Sequence, residues 1–210
     1  MAPPWRLTTN LVKRPAQSYV RRMGKLIYSM FTSLDGYAAD ADGSSDWGGA
    51  LDPVLHDFVS DQSRSVGTYL YGRRMYETMS FWETALDTPD PPDFVRHYAE
   101  VWQAADKVVY STTLDAPTTR RTTVERTFDP VAVRAEVDAL HHDVTIDGPT
   151  LAAQALRAGI VDEVQPYVAP VSVGGGLRFW PDGVRLDLDL VEQRAFGNGT
   201  VWSRYAVRRG

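Results

Sequence analysis

Cysteine is absent from the 210-residue chain. That excludes disulfides, thiolate metal sites and cysteine nucleophiles, and it fits a reducing, cytoplasmic setting. Long apolar runs are missing too: none approaches the roughly 20 residues that a membrane-spanning helix needs, so no membrane partner is expected. Histidine is sparse and scattered (His56, His97, His141, His142), and the adjacent pair cannot share one metal through a helix face, so no metal ligand is assigned. Basic charge is also short. The net charge of −5 argues against nucleic acid as the main partner. No strand is followed by a full G-x-G-x-x-G, which argues against a Rossmann dinucleotide fold. The run Asp40–Asp46 has the flavour of a calcium loop, but Ser44 stands where a third ligand belongs and Gly43 comes too early.

What is present divides unevenly. Residues 1–22 hold Arg6, Lys13, Arg14, Arg21 and Arg22 and no acid, leaving 17 basic against 27 acidic side chains, a balance of −10. This stretch has three prolines and no apolar core, so it is not a secretory signal. It reads as a basic, disordered extension, with Met23 as an alternative start and a transit peptide as a lesser reading. Residues 23–210 read as one domain, and a hydrophobic content of 43% is enough for its core.

The most informative stretch runs from Val144 to Gly176. Val144-Thr145-Ile146 is a β-branched run suited to a buried strand. Asp147-Gly148-Pro149 makes a turn, with Pro149 fit for the first helical position. Leu151, Ala152, Ala155 and Leu156 recur at helical spacing, and Gly159 is the residue expected just past a helix end. Amides near Thr150 and Leu151 can hold a phosphate; an ordinary strand-turn-helix junction explains the same pattern. Elsewhere, strands are expected at Lys25–Thr32, Thr68–Tyr71, Lys107–Tyr110, Thr122–Arg126 and Glu163–Ala169. Helices are expected to open at Asp52-Pro53, Asp93 and Asp129-Pro130. Tyr37–Ala50 reads as a long surface loop. The prolines at 89, 91 and 92 mark a linker.

Gly72-Arg73-Arg74-Met75 ends a strand and opens a helix with two cations, which the helix dipole disfavours. A bound anion is one compensation, and simple solvation is the other. Near the end, Leu186, Leu188 and Leu190 alternate with acids. Asn198-Gly199 then signals a hairpin into Thr200–Val207.

Four blocks in this order carry a resemblance: SLDGYAAD with Ser45-Asp46-Trp47, then YLYGRRMYE, then VVYSTTL, then DGPTLAAQALRAGIVDEVQPYVAPVSVGGG. Over roughly residues 25–180 the chain resembles the dihydrofolate reductase-like family, specifically the reductase domain of the bifunctional riboflavin-biosynthesis deaminase-reductase in stand-alone form. The resemblance implies a three-layer α/β fold. Its sheet would be eight-stranded and mostly parallel, with an antiparallel C-terminal hairpin and helices on both faces. It implies NADPH lying across the carboxyl ends of the strands, a homodimer, and reduction of a small pyrimidine- or pterin-like heterocycle. The family's namesake reaction is that of 5-amino-6-(5-phosphoribosylamino)uracil reductase.

Carried over to this chain, Gly72, Arg73 and Met75 would line the dinucleotide. Ser111 and Thr112 would meet the adenosine ribose or its 2′-phosphate, with Arg73 or Arg74 adding charge. Gly148, Pro149, Thr150 and Leu151 would hold the pyrophosphate, and Leu34 and Gly36 would border the nicotinamide and substrate. Asp35 is the candidate polar or acid group at the reacting end, although an Asp-Gly turn alone explains it. Tyr37, Trp47 and Trp82 are candidates to stack on a flat substrate, with core packing as the alternative.

The chain departs from the family at Asp147, which stands before Gly148 where the family usually has glycine. A carboxylate there would repel a pyrophosphate unless it points away or caps the helix. The Leu-Pro-Trp segment and helix-borne acid of true dihydrofolate reductases are not recognisable, which weighs against folate reduction. The deaminase's zinc signature is impossible without cysteine. A non-catalytic binder of a heterocycle or flavin is the competing function, and a dihydrofolate reductase the second.

Overall fold

The computed structural model describes residues 23–48 and 52–209. The basic segment 1–22 and the end of the Tyr37–Ala50 loop therefore lie outside the described residues. Five helices and ten strands follow one another. They are β1 (Leu26–Ser33), β2 (Tyr37–Ala39), α1 (Pro53–Ser63), β3 (Val66–Gly72), α2 (Arg73–Met79), α3 (Asp93–Ala104), β4 (Asp106–Tyr110) and β5 (Thr122–Glu125). Then come α4 (Pro130–Ala139), β6 (Asp143–Asp147), α5 (Pro149–Arg157), β7 (Glu163–Ala169), β8 (Leu177–Arg178), β9 (Leu188–Ala195) and β10 (Val201–Val207).

Eight strands form one sheet in the order β5-β4-β3-β6-β1-β7-β10-β9. Those from β5 to β7 run parallel, while β10 is antiparallel to both β7 and β9. This is the α/β architecture the sequence implies. The chain walks outward from β3 to β5, then returns to lay β6 between β3 and β1. The crevice where strand order reverses is where open α/β sheets bind ligands, outside the carboxyl ends of the strands.

Local sequence explains the helix starts. Asp52 Oδ1 accepts a hydrogen bond from the Leu55 amide at 2.9 Å and Pro53 follows it. Asp129 caps α4 through the Val131 amide in the same way. On one face of the sheet, α4 and α5 bury Val133, Val137, Leu151, Ala152, Ala155 and Leu156 against Leu26, Leu70, Val144, Ile146 and Val164. On the other face, α3 sets Tyr98 and Trp102 over Tyr69, Tyr71 and Val109, and Trp102 Nε1 donates to the Tyr71 hydroxyl at 3.0 Å. Farther along that face, α1 packs Leu55 and Phe58 on Tyr167, Trp202 and Phe196.

Two features depart from the sequence expectations. The segment after β1 is not all loop: Tyr37–Ala39 pairs antiparallel with Leu177–Arg178 as a separate two-stranded ribbon. Short 3₁₀ turns at Ser80–Glu83 and Ala85–Asp87 fill the stretch before the proline-marked linker.

Candidate functional site

A cavity of about 1440 Å³ opens at the carboxyl ends of β3 and β6 and extends along the sheet face under α1. Its mouth is made by two strand-to-helix junctions on neighbouring strands. Gly72, Arg73, Arg74 and Met75 line it from the first, and Gly148, Pro149, Thr150 and Leu151 from the second. Eight residues singled out from sequence therefore meet at one rim.

The second junction sits close on the first because residue 148 is glycine, whereas a side chain at Gly72 would meet only ordinary contact. Gly148 has φ +94°, and a Cβ there would lie 3.2 Å from the Cβ of Met75. A Cβ on Gly72 would lie 3.9 Å from the Leu151 Cβ. Neither α2 nor α5 has a side-chain cap. In α5 the first backbone bond runs from the Ala152 amide to Gly148 O at 3.0 Å, and Pro149 has no N–H. The amides of Thr150 and Leu151 are thus left without helical acceptors at the positive end of the dipole.

Arg73 donates to Glu77 at 2.7 Å and to Thr113 Oγ1 at 2.7 Å, which ties the end of β4 to α2. Arg74 has no ion-pair partner among the described residues. Ser111 and Thr112 follow β4 and are outside the cavity lining, although Tyr110 just before them is part of it. Ser111 Oγ accepts from the amides of Thr113 and Leu114, and Thr112 is exposed.

Asp147 does not cap α5. It shares a strand face with Thr145, two residues back, whose hydroxyl donates to Asp147 Oδ2 at 3.0 Å. The carboxylate thus shares the Thr145 face of β6 and lines the same cavity as the free amides. Burial pushes its carboxyl up to about 7, with the Thr145 hydroxyl pulling the other way.

The remaining candidates take other places. Asp35 is not placed as an acid. Its oxygens accept from Ser33 Oγ at 2.6 Å, Ser172 Oγ at 3.0 Å, and the amides of Val173 and Gly174 at 3.1 and 2.7 Å. These donors, Ser33 foremost, hold its carboxyl well below the usual carboxylate range, so it stays ionised and has no proton to give. Its work is to clasp the glycine loop to the turn after β1. Asp35→Ala should therefore free that loop, and hydrogen exchange at the Val173 and Gly174 amides should quicken roughly tenfold for each bond lost.

Leu34 and Gly36 belong to the same clasped turn, with Leu34 72% exposed and outside the cavity lining. Tyr37 is also outside it, its ring 5.3 Å from the Arg178 guanidinium on the ribbon. Trp47 sits half-buried in a 3₁₀ turn away from the lining. Of the three aromatic candidates only Trp82 lines the cavity, packed against Tyr98 at 4.7 Å and His56 at 5.4 Å.

Several lining residues escaped the sequence reading. Burial holds the His56 imidazole below its usual range, and its Nδ1 has no hydrogen-bond partner among the described residues. Tyr69, Tyr98 and Tyr167 come from β3, α3 and β7, and each looks like ordinary core until the elements assemble. At the far end Lys25 bonds Glu163, whose other oxygen accepts from Gln165 at 3.1 Å. An acid opening a mostly apolar strand was the available signal for that end.

The fold and this crevice define a dihydrofolate reductase-like α/β protein. A dihydrofolate reductase from Enterococcus faecalis complexed with NADP(H) superposes with a TM-score of 0.61 at 13% identity, over 90% of this chain and 99% of that one. More specifically, residues 24–202 match the RibD C-terminal domain, and the chain belongs to that family. It is 32% identical over 155 residues to the riboflavin biosynthesis protein RibD of Mycobacterium tuberculosis, covering 69% of this chain and 41% of the relative. The chain thus spans less than half the length of that relative. A candidate riboflavin biosynthesis protein from Shewanella sp. PV-4 shares the fold, with a TM-score of 0.68 at 20% identity over 88% of this chain and 99% of that one. Among the described residues no helix is long and apolar enough to cross a membrane.

Proposed function

We propose that the chain is an NADPH-dependent reductase of a small, flat heterocycle of the pyrimidine or pterin type. One observation carries the reading: two glycine-fronted, uncapped helix starts stand side by side and open onto a cavity of about 1440 Å³. Single-ligand pockets usually measure roughly 300–1,000 Å³, so this volume suits a coenzyme end together with an acceptor. Reduced nicotinamide, when bound, supplies a hydride.

The chain's residues do the rest. The Thr150 and Leu151 amides would hold the pyrophosphate, and Gly148 would let it approach the backbone closely. Arg74 would meet the 2′-phosphate, because Arg73 is already held by Glu77 and Thr113. Trp82 would flank the acceptor ring, and the surrounding phenols would keep water from the reacting atoms.

Membership of the riboflavin family makes 5-amino-6-(5-phosphoribosylamino)uracil the first acceptor to try. Sustained loss of reduced-nicotinamide absorbance with that compound supports the reductase. Binding of NADPH without turnover across such heterocycles would favour the non-catalytic reading. Cofactor choice has its own test. Arg74→Ala should weaken NADPH binding about ten- to a hundredfold while leaving NADH within about threefold, since one charge-assisted bond is lost. Equal losses for both coenzymes would remove Arg74 from the 2′-phosphate.

A further inference from the structure

Resting on the reductase reading, we propose that Asp147 is the acid of this site, passing its proton to the heteroatom of the double bond that receives the hydride. The position recommends it. Asp147 ends β6 immediately before the Gly148 seat, lines the cavity, and is only 7% exposed. Thr145 donates to Oδ2, so a proton on this carboxyl resides on Oδ1, which has no partner among the described residues and is not sealed from the cavity. Two other acids lie near this end: Asp35 is saturated with donors, and Asp40 of the cavity lining accepts from the Asp42 and Ser44 amides.

The titratable groups around Asp147 are phenols: Tyr28 of β1, Tyr69 and Tyr71 of β3, Tyr98 of α3 and Tyr167 of β7. His56 of α1, the arginines of α2, Asp40 after β2 and Tyr110 of β4 line the same cavity, as do Lys25, Asp143, Glu163 and Arg204 farther along it. Desolvation is the dominant influence on the carboxyl, which lies at about 7, close to where a general acid is most effective.

In the step, the carboxyl O–H bond breaks and the proton goes to the nitrogen or oxygen of a C=N or C=O bond. The carbon of that bond takes the hydride, so two electrons pass from the reduced dinucleotide to the acceptor. Water at the cavity mouth then returns a proton to the carboxylate.

The test has a cofactor-free arm and a kinetic arm. In protein labelled with carbon-13 at aspartate carboxyls, one resonance should titrate near 7 and be missing from Asp147→Asn. Thr145→Val, which removes a donor to the charged form, should move that midpoint upward. In single turnovers with NADPH and 5-amino-6-(5-phosphoribosylamino)uracil, the wild-type rate should fall about tenfold per pH unit above the midpoint. Asp147→Asn should be at least about a hundredfold slower, flat across that range, and bind NADPH as before. Wild-type rates in Asp147→Asn, or no carboxyl titrating between about pH 5 and 9, overturn the acid role and leave the reductase standing. No hydride transfer by the wild type removes the reaction itself and the proposal with it.

Discussion

Asp147→Asn is expected to stabilise the folded protein at about pH 8 by roughly 4 kcal/mol, with almost no effect below about pH 4. The sign follows from linkage. The folded carboxyl lies near 7 and the unfolded one near 3.9, so between those values the native state binds more protons than the unfolded state. Native stability therefore falls as pH rises through that window, by about 1.4 kcal/mol per unit, and levels off above it. An amide of the same shape cannot ionise, and the Thr145 hydroxyl can still donate to its oxygen. Urea titrations at half-unit pH intervals give the comparison directly. Parallel curves for the two proteins would mean that Asp147 is not held neutral by burial. This measurement needs no coenzyme, so it tests the electrostatics of the cavity apart from its chemistry.

The second large effect lies in the glycine loop. A Cβ on Gly176 would sit 2.2 Å from the Ala39 carbonyl oxygen, and its backbone has φ +128°. Gly176→Ala should therefore cost roughly 2–5 kcal/mol, from strain and from displacement of β2 together. For a chain of this size the melting temperature should drop by roughly 5–15 °C. Gly174 is the control. It also has positive φ, at +74°, but a Cβ there meets nothing within 4 Å. Gly174→Ala should cost only about 1–2 kcal/mol, the price of the backbone conformation alone. Similar losses for both would show that the β2–β8 ribbon does not press on Gly176. Because Gly176 and Ala39 both line the cavity, the first variant should also weaken ligand binding.

These two positions illustrate what can be read from residues in order. The junction from Val144 to Gly159 was legible because every signal in it is local: a β-branched strand, proline at the first helical position, and glycine after the helix, where φ is +67°. The Asn198-Gly199 hairpin was legible for the same reason, with Gly199 at φ +85°. The ribbon of β2 and β8 was not. Its strands are three and two residues long, and it exists only through pairing of Tyr37 with Arg178 and of Ala39 with Leu177. Asp35 reads from the sequence as a candidate acid or, alternatively, as a plain turn residue. Its clasp on Ser172, 137 residues away, depends on the two loops meeting.

Asp147 stands out in the sequence as a departure from its family, but which way its carboxylate faces stays open there. Strand alternation held the answer, since residues two apart share a face and Thr145 pairs across the sheet with Ile27. The phenols around it could not be foreseen, because Tyr69, Tyr98 and Tyr167 converge from three separate elements.

The most direct test of the account is a crystal structure with NADPH. The pyrophosphate should rest on the Thr150 and Leu151 amides between Gly72 and Gly148, with the 2′-phosphate within reach of Arg74 and the nicotinamide ring beside Asp147. A dinucleotide found elsewhere, or crystals that take up none at saturating concentration, would contradict it.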